Sequence, residues 1–274
     1  MNLTKIPWVK NPDGTQGYTW NPITGCLNHR DGKCLGGNFP CYAYKLAHGR
    51  LKQRYLTGGE LSLQDCVYAP RRQDPFYPRF WEDRLDDPIL TDRNICIKRH
   101  TRGQRRTPRG IFVCDMGELF GDWTPRKWQE EIFLTITCNP QHRFYLLTKQ
   151  PQNLPVWSPF SPNCFVGVTV TGVETLQQRN AMLALQKVQA KVKFLSIEPL
   201  LSEIIFDVSE LTKCGVNWLI IGSQTQPTRH PPREWVEEII SAADKAHIPV
   251  FVKEPLAKHL NIYREEMPDA KEKD

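Results

Sequence analysis

Six short apolar runs constrain this chain more than any other feature: Ile111–Met116, Phe144–Thr148, Phe165–Val170, Lys193–Ile197, Trp218–Gly222 and Pro249–Lys253. Each is almost continuously hydrophobic and rich in β-branched or aromatic residues, the pattern of strands covered on both faces. Tyr18–Thr24 is a further candidate near the front. Amphipathic helical patterns fill the gaps. Thr124–Asn139 opens on Thr-Pro, a cap followed by a favoured first-turn residue, and aims Trp128, Ile132 and Phe133 inward. Glu174–Lys191 carries Leu176, Met182, Leu183 and Leu185, and Pro232–His247 carries Trp235, Val236, Ile239 and Ile240. Strand and helix in alternation predict an α/β protein with a parallel sheet and right-handed crossovers. Six or seven such units fit a partial or full parallel (β/α) barrel of the TIM-like type. A doubly wound open sheet is the alternative, but no glycine-rich dinucleotide fingerprint follows any strand. The predicted organisation is a single barrel domain over 1–262, with a cysteine loop at 26–41, an insertion at about 54–109 and a charged tail at 263–274.

With 274 residues and a composition 40% hydrophobic and 24% charged, a chain of this kind buries a core without covalent staples. Its apolar runs fall far short of the ~20 residues that span a bilayer. Met1–Gln16 has no apolar core of a signal peptide. A soluble, cytoplasmic protein with no membrane contact is expected.

In barrels of this class the chemistry sits at the carboxyl ends of the strands. Here those ends read Asp115-Met116-Gly117-Glu118, Thr148-Lys149, Thr169-Val170-Thr171, Ser196-Ile197-Glu198, Gly222-Ser223-Gln224 and Lys253-Glu254. Polar or charged groups follow purely apolar runs at nearly every tip, so convergence would gather Asp115, Lys149, Glu198 and Lys253 at one cavity. The plainer account is that loops are polar, and that the two lysines form ion pairs with Glu198 or Glu254 that hold the rim together.

The nine cysteines are an odd number, and a reducing compartment disfavours structural disulfides. Cys114, Cys138 and Cys164 lie in apolar patterns and are expected in the core. Cys26, Cys34 and Cys41 differ, because they fall within sixteen residues among Gly32, Gly36, Gly37 and Pro40. Glycine and proline let such a loop fold back around a small object. Three thiolates there can hold an iron–sulfur cluster with one open iron position. They can instead hold zinc with His29 as fourth ligand, or be unrelated thiols.

Eight motifs, in order from residue 19 to 253, carry a resemblance. They are Thr19-Trp20-Asn21-Pro22 with Thr24-Gly25-Cys26; Cys41-Tyr42-Ala43; Phe112-Val113 with Met116 and Leu119-Phe120; Leu146-Leu147-Thr148-Lys149; Val166-Gly167-Val168-Thr169-Val170; Leu195-Ser196-Ile197-Glu198-Pro199-Leu200; Trp218-Leu219-Ile220-Ile221-Gly222; and Pro249-Val250-Phe251-Val252-Lys253. The chain resembles the radical S-adenosylmethionine superfamily and, within it, a phage-associated three-cysteine-motif branch. Two departures stand out. Six residues separate Cys34 from Cys41 where the branch usually has two, and Gly222-Ser223-Gln224-Thr225-Gln226 replaces its usual Gly-Gly-Glu-Ser-Gly.

The resemblance implies a 4Fe-4S cluster on Cys26, Cys34 and Cys41, with S-adenosyl-L-methionine on the open iron. An external electron donor would then produce a 5′-deoxyadenosyl radical that attacks an unidentified substrate. It further implies that Tyr42, Asp115, Gly117, Glu118, Glu198 and Ser223 contact the cofactor and that Lys149, Glu198 and Lys253 are catalytic. Seven positive charges without an acid occupy Arg93–Arg109, a patch suited to phosphates. The preceding Tyr68, Phe76, Tyr77, Phe80 and Trp81 offer stacking surfaces for bases, or a hydrophobic cover. Nucleic acid is therefore a candidate substrate. A zinc-stabilised nucleic-acid-binding protein without redox chemistry is the rival, and a barrel that has lost its chemistry and serves as a partner subunit is a third reading.

Overall fold

In the computed structural model, residues 1–62, 69–89, 107–173 and 175–268 are described. In chain order the strands are β1 Asn2–Leu3, β2 Tyr18–Trp20, β3 Ile23–Thr24, β4 His29–Arg30, β5 Lys33–Cys34, β6 Phe39–Pro40, β7 Arg79–Phe80, β8 Gly110–Val113, β9 Arg143–Thr148, β10 Cys164–Thr169, β11 Val192–Ile197, β12 Trp218–Ile221 and β13 Val250–Val252. The helices are α1 Tyr42–His48, α2 Lys52–Thr57, α3 Ala69–Gln73, α4 Arg126–Cys138, α5 Thr175–Lys187, α6 Val208–Lys213, α7 Arg233–Lys245 and α8 Glu254–Leu260. The fold is mixed α/β with mostly parallel strands. Its contacts divide into two compact units.

The first unit comprises Met1–Leu27, Tyr42–Tyr145 and Ser161–Asn163. β1 pairs antiparallel with β2, and β2 pairs parallel with β8 in the register Tyr18↔Ile111, Thr19↔Phe112 and Trp20↔Val113. Every residue of β8 is buried. Trp8, Trp20, Phe120 and Ile132 lie in this unit's core. The Tyr18–Thr24 stretch is two strands rather than one, because β3 turns away to pair antiparallel with β7. In α4, Trp128 and Ile132 are buried, whereas Phe133 is only half-buried.

Three of the aromatic residues before the basic segment lie inside the protein, and Tyr77 is half-buried. Phe76, Phe80 and Trp81 are buried. Phe80 stacks on Trp128 at 5.4 Å and 10°, and Trp81 carries the Arg84 guanidinium over its ring at 3.7 Å. These faces are occupied within the protein. Tyr68 and residues 93–106 lie outside the described residues. Arg109, at the edge of the basic segment, accepts the Arg143 N–H through its carbonyl at 2.7 Å and lies over the Tyr18 ring at 5.0 Å.

The second unit comprises Asn28–Cys41, Leu146–Phe160 and Cys164–Asp274. β10, β11, β12 and β13 are parallel neighbours in that order, with Phe194↔Trp218, Ile197↔Ile221 and Ile221↔Val252 in register. All six residues of β10 are buried, as are the whole of β12 and β13. Burial on both faces explains the unbroken apolar runs. Gly167 is required by packing: a Cβ there would stand 2.3 Å from the Phe194 ring. Met182 and Leu185 are buried in α5, whereas Leu176 is 64% exposed and Leu183 45% exposed. Val236 and Ile239 anchor α7.

After the cysteine loop, α1 and α2 are separate helices, and between them the Lys52 N–H returns to the Gly49 carbonyl at 3.1 Å. One cysteine departs from the sequence expectation: Cys138 is exposed at the last position of α4, while Cys34, Cys114, Cys164 and Cys214 are buried. Among the described residues, no helix is long and apolar enough to cross a membrane.

Candidate active site

In the second unit the cysteine loop is a small three-stranded antiparallel sheet, β4-β5-β6, with His29 opposite Cys34 and Cys34 opposite Phe39. Asp31 and Gly32 both take positive φ in the first turn, Gly37 and Asn38 in the second. The Cys41 N–H donates to the Gly32 carbonyl at 2.9 Å and the Asn38 N–H to the Cys34 carbonyl at 2.8 Å. These bonds accommodate the long spacing between Cys34 and Cys41.

This loop is pinned to the carboxyl end of β10. The Gly36 carbonyl accepts from Thr171 Oγ1 and from Gln177 Nε2, each at 3.1 Å. Gln177 Oε1 in turn accepts from Thr171, from its backbone N–H at 3.1 Å and its hydroxyl at 3.0 Å. At Gly36 a Cβ would lie 3.3 Å from Lys149 Cδ and 3.7 Å from Cys34 Sγ. Lys149, which follows β9, therefore flanks the loop close to the Cys34 sulfur.

Further along the same strand ends, Lys253 donates to Glu198 in a close ion pair. The two side chains retain 19% and 23% exposure. Of the two pairings expected for this lysine, the one with Glu198 is formed. Thr169 and Ser196, adjacent in register near the same end, are both fully buried. Ser223 turns away from the ion pair. Its Oγ lies 2.7 Å from His230 Nδ1, and the His230 ring stacks on His259 at 4.0 Å and 12°. Burial, and then the neighbouring His259, hold His230 below the ordinary imidazole range.

In the first unit, Asp115 follows β8. Asn21 Nδ2 donates to its Oδ1 at 2.6 Å, and Asn21 Oδ1 accepts the Met116 N–H at 2.9 Å, so one amide clamps the turn. The Tyr42 hydroxyl donates to the Asp115 carbonyl. Burial pushes the Asp115 carboxyl up to about 6, against the lowering effect of the Asn21 and Tyr42 hydrogen bonds. Glu118 is buried and accepts the Phe120 N–H at 3.0 Å, which fixes the following turn. A Cβ on Gly117 would stand 3.0 Å from the Ile23 carbonyl and 3.1 Å from that of Gly25, so its role is a close backbone approach. That approach carries Cys26, whose N–H donates to the Phe76 carbonyl at 3.1 Å. Cys114, by contrast, is wholly buried and its thiol is pushed far up by desolvation, as befits an inert core cysteine.

Among the described residues, no three His, Cys, Asp or Glu side chains form a group that could hold a metal ion. Cys26 belongs to the first unit, Cys34 and Cys41 to the second. What the three have in common is a free thiol. None of the three is in a disulfide, Cys26 and Cys41 are half-buried, and Cys34 is buried in a loop with its own anchor.

A family model matches residues 3–265, nearly the whole chain. The chain belongs to the family described as "Protein of unknown function (DUF5131)". No curated protein matches. Among solved structures, this DUF5131 chain is similar to spore photoproduct lyase complexed with dinucleoside spore photoproduct. The identity is 10% and the TM-score 0.49, over 89% of this chain and 77% of that one. A double mutant of spore photoproduct lyase with bound AdoMet and dinucleoside spore photoproduct matches at 12% identity and TM-score 0.44, over 86% and 63% of the two chains.

Thr171 and Gly222 stand at strand ends named from the sequence, but their roles, holding the cysteine loop and lying between Glu198 and Lys253, are visible only in the fold. Gln177, which shares in holding the loop, is not among the residues expected at the site, because it lies inside α5 rather than at a strand end. His230 and His259 left no signal, since only the fold brings them together.

Proposed function

We propose that this DUF5131 chain is a radical S-adenosylmethionine enzyme acting on an unidentified substrate in the cytoplasm, with an external electron donor. Cys26, Cys34 and Cys41 would hold a 4Fe-4S cluster, and the cluster with bound S-adenosylmethionine would supply one-electron chemistry for hydrogen abstraction. The observation that carries this reading is the anchored loop. Cys34 sits in a segment tied through Gly36 to Thr171 and Gln177 at the carboxyl end of β10, beside Lys149. Parallel-strand carboxyl ends are where α/β folds build their sites.

The chain's own groups have distinct tasks in this account. Asp115, largely ionised at neutral pH with a pKa of about 6, would receive the cofactor's ammonium. Lys149 would face an anionic group next to the cluster loop. Lys253 and Glu198 would orient polar groups at the strand tips, and the surrounding buried strands would exclude water and stray hydrogen donors. Tyr42 and Glu118 would act through the backbone turns that they hold, as positioning residues.

One observation favours zinc instead: His29 stands opposite Cys34 in the same hairpin, a pairing that suits a structural tetrahedral site. Anaerobic purification and reconstitution, with iron, sulfide and zinc assays and a test for 5′-deoxyadenosine, separates the two. Iron with acid-labile sulfide and S-adenosylmethionine cleavage supports the enzyme. A colourless, zinc-loaded protein overturns it.

A further inference from the structure

Glu198, Gly222 and Lys253 directly follow Ile197, Ile221 and Val252, which are in register across β11, β12 and β13. The acid and the base are therefore two strands apart, with the glycine level between them. Neighbouring strands lie about 4.8 Å apart, so the two backbones are roughly 10 Å from each other. The Glu198–Lys253 ion pair must close that gap by crossing directly over β12. A side chain at position 222 would press on that path. A Cβ on Gly222 would stand 3.0 Å from Glu198 Cγ, 3.1 Å from Glu198 Cδ and 3.2 Å from Lys253 Cδ, inside the ~3.5–4.0 Å optimum for carbon contacts.

The backbone gives no other reason for glycine. Gly222 is not among the glycines with positive φ. Its N–H donates to the Ile197 carbonyl and its carbonyl accepts the Leu200 N–H, each at 3.0 Å, as any residue would do.

We infer that Gly222 is a positioning residue that lets Glu198 and Lys253 form a single charge-paired bar across the strand tips. A ligand entering there meets that pair, rather than an isolated cation beside an isolated acid. This rests on the reading of the strand tips as the active site and assigns that site a determinant outside its charged groups.

The test uses the full chain without cofactor, treated with an amine-acylating reagent. Modification of Lys253 is followed by peptide mass spectrometry, with exposed Lys258 as the internal control. Gly222→Val should raise the Lys253 rate about threefold, the scale of losing one partly screened ion pair. Gly222→Ala should fall between Val and wild type, which keeps the test open if the Val variant folds poorly. Glu198→Gln should match Gly222→Val, and the double variant should add nothing further. The inference is overturned if Glu198→Gln raises the rate and Gly222→Ala and Gly222→Val do not, or if the two effects simply add. It is equally overturned if Glu198→Gln leaves Lys253 unchanged. Because no cofactor is present, these failures are distinct from a wild-type protein that loads no iron and sulfide, which would sink only the enzyme reading.

Discussion

Gln177 Nε2 reaches across from α5 to the Gly36 carbonyl at 3.1 Å, two residues beyond Cys34. One amide therefore ties the geometry of a cysteine loop to the first turn of a helix that follows a buried strand. The Thr171 hydroxyl, with one proton to share, lies within hydrogen-bond distance of both the Gly36 carbonyl and Gln177 Oε1. Replacing Gln177 with Ala removes its own bonds to Gly36 and Thr171 and should destabilise the chain by about 1 kcal/mol. Cluster loading should fall by a larger factor, because the loop rather than the core loses its restraint. Parallel thermal melts and iron assays check this; a fall in stability with normal iron content would count against the loop's role.

Cys34→Ala should abolish iron and sulfide uptake while moving the melting temperature little, and Cys26→Ala and Cys41→Ala should behave alike. Cys114→Ala should do the opposite, retaining the cluster and losing about 1 kcal/mol through the space it leaves in a sealed core. Equal damage from Cys114→Ala in the iron assay would show that the ligand set is misassigned.

Asp115 carries a definite pH signature. Its carboxyl titrates near 6 in the folded chain against 3.8 in the unfolded one, chiefly because it is buried. Between these values the native state binds more protons, so this group's contribution to stability is full below pH 3.8 and is lost as the pH rises through 6. Asp115→Asn keeps an acceptor for Asn21 but has no charge to desolvate. Relative to wild type it should be unchanged near pH 3.5 and more stable by about 1–3 kcal/mol at pH 7. Urea melts at both pH values measure the difference, and a gap of equal size at both would refute the linkage.

Gly167 bears on packing alone. A methyl group there meets the Phe194 ring at 2.3 Å, in a strand buried along its whole length. Gly167→Ala should destabilise by about 1–3 kcal/mol through overpacking, and shortening the ring with Phe194→Leu in the same chain should recover part of that loss in thermal melts. Additive losses would place the strain elsewhere.

Much of the strand framework is legible in the linear order of residues. The runs at Cys164–Thr169, Val192–Ile197 and Trp218–Ile221 show as strands because burial on both faces keeps them mostly apolar, with Thr169, Lys193 and Ser196 as the exceptions. The strand-tip positions of Lys149, Glu198 and Lys253 follow from the same pattern. The split of Tyr18–Thr24 into two strands was not legible. Its second half pairs with Arg79–Phe80, a partner remote in the chain.

Side-chain commitment at the tips was also beyond local pattern. Ser223 and Gly222 are neighbours in sequence, yet alternation sends one to His230 and leaves the other beneath Glu198 and Lys253. Periodic burial is a local property, written every second or fourth residue, so the order of amino acids dictates which segments become strands and helices and which residues sit at their ends. Which of those ends touch, and which hydroxyl or amide is spent on which partner, depends on registers between distant segments, and these exist only once the chain has packed.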